Sequence, residues 1–254
     1  MLPFNGAHTI PGPGHCRPEN EPQMGGRPLY VEGVARVSPP VEDRQWHRED
    51  AREALAAAPA LEPWRGQLAR AAFEEHASVA AFARTICQLV ALGAPAWLVD
   101  KTQRALADEI VHATRTFEWV ERLGGGALGP GPLVEAVAPF VGGAATETLA
   151  AELARDVFRG GCVGETLAAH EAAEHAEAAP DFELGAFYTD IANDEARHAA
   201  LAFETAGWLR SRFAVAAAAL DEERARFATS ATPEHQRVVN PLLSAVFGPV
   251  PVRT

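Results

Sequence analysis

Two short motifs in this 254-residue chain place a carboxylate and an imidazole where they can act together: Asp108-Glu109-Ile-Val-His112 and Asp194-Glu195-Ala-Arg-His198. On an α-helix, a spacing of three residues sets Glu and His on one face, a turn apart. Asp-Glu pairs occur at Asp108, Asp194 and Asp221, and the first two carry a His three residues after the Glu. This is well above chance pairing of these residue types. Carboxylate and neutral imidazole at helical spacing are the materials of a metal site.

The elements that must hold these motifs can be read from where helices break. Past Trp64 the sequence is Ala-rich and helical in period, with one helix from about Trp64 to Leu92, stopped at Gly93-Ala-Pro95, and a second from about Ala96 to Leu123, stopped at Gly124-Gly-Gly126. A long link follows, with Gly129-Pro-Gly-Pro132 and a short helix expected at Leu133 to Val141. The third helix is expected from about Thr146 to Ala179, ending at Pro180, and the fourth from Asp181 to about Arg212, with a further helical stretch from Val215 to Phe227. Two hairpins joined by one long crossover make an all-α, four-helix bundle.

Each motif then faces a carboxylate at matching height across its hairpin. Glu75 lies 17 residues (~26 Å) before Leu92 and Glu109 13 residues (~20 Å) after Ala96. Glu165 lies 14 residues (~21 Å) before Ala179 and Glu195 13 (~20 Å) after Phe182. The hairpins read as copies related by a pseudo-twofold axis, with four carboxylates and two imidazoles converging on one point. Four buried carboxylates without counter-ions would cost several kcal/mol each unless protonated, and a pair of divalent cations removes that cost.

This pattern, over Trp64 to Arg212, resembles the ferritin-like diiron-carboxylate superfamily, in which two helices supply a Glu each and two supply Glu-x-x-His. The resemblance implies a ferritin-like four-helix bundle with Glu75, Glu109, His112, Glu165, Glu195 and His198 as metal ligands, Glu109 and Glu195 bridging. It also implies that Asp108 orients His198 and Asp194 orients His112. Oxygen ligands with two imidazoles suit two Fe ions, or alternatively two Mn ions, better than zinc or copper. The implied function is an oxidoreductase that activates O2 or peroxide, with a small-molecule substrate and an electron donor that are not specified. The alternative is a ferroxidase or an iron- or manganese-handling protein without an organic substrate. In several oxygenase members a Thr lies one turn after the third-helix Glu; Ala168 and Ala169 stand there in this chain, which counts against a monooxygenase.

Other residues are weighed beside this set. Glu74 competes with Glu75 as the first-helix carboxylate, but Glu75 shares its face with Leu68, Ala72, Val79, Phe82 and Ile86. His76 is expected at the rim. His170-Glu171-Ala-Ala-Glu174-His175 misses both zinc-protease spacings and reads as a charged outer face. The glycines of Arg159-Gly-Gly-Cys-Val-Gly-Glu165 each cost ~1 kcal/mol against Ala in a helix. They open a pocket bordered by Gly161, Cys162, Gly164 and Tyr188, mark an irregular turn, or allow close helix packing. Tyr188, two turns before Glu195, is a buried structural tyrosine or a redox-active one.

Composition narrows the partners. Lys+Arg 22 against Asp+Glu 34 gives a net charge of −12, which disfavours nucleic acid and anionic membranes. Hydrophobic content of 48% is that of a folding chain. Three separated cysteines without metal-finger spacing, and no leader or spanning segment, point to the cytoplasm. Residues 1–60 read as a Pro/Gly-rich arm with a strand pair about Gly33 and a lead-in helix over Val41 to Ala58, 61–230 as the bundle, and 231–254 as a tail. The arm has three candidate roles: a lid, a contact in a homodimer, or a bare tail.

Overall fold

A computed structural model describes residues 27–31, 33–47, 61–137 and 145–248. The chain is mostly helical there, with α1 at Glu62–Ala91, α2 at Ala96–Val120, α3 at Thr146–Asp156, α4 at Thr166–Ala178, α5 at Phe182–Arg212, α6 at Ala214–Ser230 and α7 at Pro233–Phe247. A π-helical segment, Val157–Glu165, joins α3 to α4 without a break in the helical path. Helix α1 packs along α2, and α4 with the π segment packs along α5.

Local chemistry sets the ends of these helices. Gly93 turns the chain at φ +70°, a left-handed conformation that L side chains rarely adopt, and Pro95 then starts α2. Asp181 caps α5 by accepting from the amides of Glu183 and Leu184 at 2.9 and 3.1 Å. Thr232 caps α7 in the same way, accepting from the His235 amide at 3.2 Å, with Pro233 in the first turn.

The core has two large apolar clusters with a polar layer between them. One contains Leu68, Trp119, Leu184, Phe187 and Ile191; the other contains Phe82, Leu89, Leu98, Phe158, Leu201 and Leu209. Helix α1 runs from Leu68 through Glu75 to Phe82, and α5 from Ile191 through Glu195 and His198 to Leu201. Helix α2 and the π segment with α4 make the same passage in the other direction. A ring of buried carboxylate and imidazole is thus clamped between hydrophobic ends that stabilise the fold.

Several expectations are corrected. Pro40–Glu42 is a strand, β3, rather than the start of a helix, and the rest of the expected lead-in helix from 48 to 58 lies outside the described residues. The strand pair about Gly33 is present as β1, Leu29–Val31, against β2, Val34–Arg36. Strand β3 pairs antiparallel with β4, Leu128–Pro130, so part of the crossover is a strap. Gly131 is required there, since a Cβ would meet the Pro39 carbonyl oxygen at 2.9 Å. The link helix shrinks to a 3-10 turn at Val134–Val137, with 138–141 outside the described residues. The second helix leaves α-geometry at Glu121 for a π turn, and the third helix is interrupted by its π segment. The stretch read as a tail holds α7, whose Val239 and Leu243 are buried in the core.

Candidate metal centre

The polar layer gathers the six residues singled out by spacing. Ligand-capable atoms of Glu75, Glu109, His112 and Glu195 lie within 4.8 Å of one another, and so do those of Glu109, Glu165, Glu195 and His198. Glu109 and Glu195 belong to both quartets. All six side chains are at most 3% exposed. Glu74 enters neither quartet, and neither do His76 or the His170–His175 cluster.

The imidazoles present their inner nitrogens to this ring and their outer ones to a second pair of carboxylates. His112 Nδ1 lies 3.4 Å from Glu195 and 3.6 Å from Glu75, while its Nε2 is 3.0 Å from Asp194 Oδ2. His198 Nδ1 lies 2.9 Å from Glu109 and 3.7 Å from Glu195, while its Nε2 is 3.2 Å from Asp108 Oδ2. Each His is therefore held by the Asp that precedes the other hairpin's motif Glu. Carboxylates so placed fix the tautomer and the ring orientation. Arg197, which the sequence reading did not weigh, bridges the two Asp residues, with Nη2 2.5 Å from Asp194 and 3.4 Å from Asp108. Its place inside the second motif was its one signal.

Donor chemistry fits a cation. Both oxygens of Glu109, Glu165 and Glu195, one of Glu75, and Nδ1 of both histidines are buried without a properly aligned hydrogen-bond partner among the described residues. Such groups are costly unless something positive meets them. Burial, with repulsion from Glu195 added, raises Glu109 to about 8, and burial with the same neighbour raises Glu165 well above the usual range. Burial alone would raise Glu195 too, but its closeness to Glu165 and the two histidines outweighs that and holds its carboxyl well below the usual range. Burial would lower both imidazoles, yet Asp194 with Glu195 and Glu75 raises His112, and Asp108 with Glu109 and Glu195 raises His198. The metal-free ring thus stores protons that an entering cation must displace.

The surroundings are unequal on the two sides. Beside Glu75 and Glu195 is a cavity of about 30 Å³, lined in part by Ala71, Ala168, Ala172 and Tyr188. The Tyr188 hydroxyl is buried without a hydrogen-bond partner among the described residues, and burial with the Glu75 charge raises its pKa. Its ring stacks on His175 at 5.1 Å and lies 5.7 Å from Trp64. Gly161, Cys162 and Gly164 do not line this cavity. A Cβ on Gly161 would collide with the Cβ of Ala202 on α5, so that glycine serves close packing within an irregular turn rather than a pocket. Cys162 is fully buried, and burial raises its thiol pKa, the opposite of an activated thiolate.

No protein-family model matches the chain, and no curated protein or solved structure does either. Function must be argued from the site. No described helix is long and apolar enough to cross a membrane.

Proposed function

We propose that this chain is a ferritin-like four-helix-bundle protein with a dinuclear metal centre, iron by preference, acting as an oxidoreductase on dioxygen or peroxide. The observation that carries this reading is the pair of overlapping quartets sharing Glu109 and Glu195. Glu75 and His112 would hold one ion and Glu165 and His198 the other, with Glu109 and Glu195 available to both. Four carboxylates with two imidazoles favour iron or manganese over zinc or copper. Two divalent cations also balance four carboxylates in charge. Bound there, the metals supply redox electrons and Lewis acidity.

The chain's own groups prepare the site. Asp194 and Asp108 hold the outer Nε2 of each His so that Nδ1 faces inward. Glu109, near 8 when metal-free, gives up its proton near neutral pH as a cation enters. The apolar clusters on either side keep bulk water from the ring.

One observation favours the form of this reading without an organic substrate. A cavity of about 30 Å³ has room for a dioxygen- or peroxide-sized molecule. Ferroxidase activity or peroxide removal, with iron or manganese as the reductant, fits that space.

Metal content per chain, measured by mass spectrometry on protein grown with iron and manganese, tests the proposal. Two iron ions per chain, absent from a Glu109→Ala/Glu195→Ala variant, are expected. Two manganese ions would move the chemistry to peroxide; no metal in either protein would overturn the reading.

A further inference from the structure

The cavity beside Glu75 and Glu195 is walled by α1, α2, α4 and α5 together. Three of its lining residues are alanines, Ala71, Ala168 and Ala172, at positions where longer apolar side chains would fill the space. Its hydroxyl groups have unlike situations. Thr116 donates its own to the His112 carbonyl at 2.7 Å and has no second proton to offer. Tyr188 is 5% exposed, and its hydroxyl is buried with no hydrogen-bond partner among the described residues. Buried tyrosines ordinarily place the hydroxyl on an acceptor, because a buried donor left unmade is costly.

The phenol is fixed where it stands. Its ring stacks on His175 with centroids 5.1 Å apart, meets Phe187 edge-on at 5.2 Å and lies 5.7 Å from Trp64. On α5, Tyr188, Ile191 and Glu195 follow at i, i+3 and i+7, so one helical face carries the phenol, the cavity wall and a carboxylate of both quartets. Glu75 and Glu195, when ionised, can only accept hydrogen bonds. A phenol, with an ordinary pKa of about 10, keeps its proton at neutral pH and can donate.

Resting on the metal reading above, we propose that Tyr188 is a specificity-determining donor, whose hydroxyl hydrogen-bonds a small acceptor of the hydroperoxide class held in the cavity beside the metals. The volume of about 30 Å³ suits a ligand of that size. A peroxide oxygen is a good acceptor, and a negatively charged one gains most from the bond. Dioxygen, uncharged and a poor acceptor, gains little. The donor therefore favours peroxide over dioxygen as the molecule this cavity receives. A phenylalanine would make the same ring contacts, so the hydroxyl is explained by a ligand and not by packing.

The test is azide, a small anionic acceptor, titrated into the full-length chain loaded with iron or manganese, as wild type and Tyr188→Phe, and read by the infrared antisymmetric stretch of azide. The expected result is unchanged metal content, azide binding about tenfold weaker in Tyr188→Phe, and a stretch that shifts between the two proteins and responds to D2O in the wild type alone. Equal affinity with an unmoved stretch overturns the proposal and leaves the metal reading standing. So does a wild type that holds metal but binds no azide or shows no D2O response, and so does loss of metal from Tyr188→Phe. A wild type that binds neither iron nor manganese overturns both. The metal-free fold gives an independent readout: Tyr188→Phe deletes an unpaired buried hydroxyl, so its melting temperature should equal or exceed that of the wild type. A lower one would mean that the hydroxyl already serves a structural partner, and would overturn the proposal.

Discussion

The two hairpins deliver matching carboxylates and imidazoles into unlike surroundings. In the first, Glu75 stands on a regular stretch of α1 and looks toward a small cavity with an unpartnered tyrosine hydroxyl. In the second, Glu165 closes a π segment whose glycines bring α5 into contact at Ala202 and admit the stem of Arg27. Repetition of the ligand motif sets up a symmetric ring, while the walls around it break the symmetry. The Glu75 side borders a small cavity; the Glu165 side is packed close, with Gly161 against Ala202 and Gly160 against Arg27.

The sharpest test of this comparison separates shared ligands from exclusive ones. Glu75→Ala should lose the ion of its own quartet and keep that held with Glu165 and His198, and Glu165→Ala should do the converse. Metal counting should find about one ion per chain in either variant, and loss of both from Glu75→Ala alone would mean the sides are not separable. A smaller effect is expected from filling the cavity. Ala172→Leu should leave metal content intact and slow oxidation of bound ferrous iron by about tenfold, a barrier change of ~1.4 kcal/mol, read by stopped-flow absorbance. An unchanged rate would place the approach of the oxidant elsewhere.

On the packed side, Gly161→Ala drives a methyl group into Ala202 and should destabilise the fold by ~1–3 kcal/mol. Adding Ala202→Gly should restore most of the loss in denaturant unfolding; failure of the pair to couple would remove close packing as the reason for that glycine. The remaining effect is on pH. Glu109 near 8, against about 4.3 unfolded, and histidines raised above 6.5 all favour the fold while protonated. That contribution is lost as pH rises through the folded values. The metal-free protein should therefore lose on the order of ten degrees of melting temperature between about pH 5 and pH 8, and the metal-loaded protein should not. A metal-free melting temperature that rises over that range would contradict the proton-storing ring.

Much of the site was legible because its logic is local. The i, i+3 spacing in Asp108–His112 and Asp194–His198, and the equal arm lengths around Gly93-Ala-Pro95 and Pro180, need only helix geometry. Preference for Glu75 over Glu74 followed from the apolar face that Glu75 shares, and Glu75 is the one in a quartet. The glycine run was visible as an anomaly, but its use was not, because close packing, an irregular turn and a pocket all ask for small residues. The lead-in helix failed at Pro40–Glu42 because a strand that pairs with residues far along the chain leaves little trace in a three-residue window.

By itself, the sequence determined the two long hairpins, their turns at Gly93-Ala-Pro95 and Pro180 and the six side chains that meet between them, since periodicity and chain length dictate which residues share a face and a height. Only the tertiary structure decided what surrounds that ring: Arg27 seated over Gly160, Ala202 against Gly161, the strap of β3 on β4, and the cavity beside Tyr188. These depend on contacts between segments far apart in the chain, whose partners are chosen by shape and charge in three dimensions rather than by any repeating pattern along it.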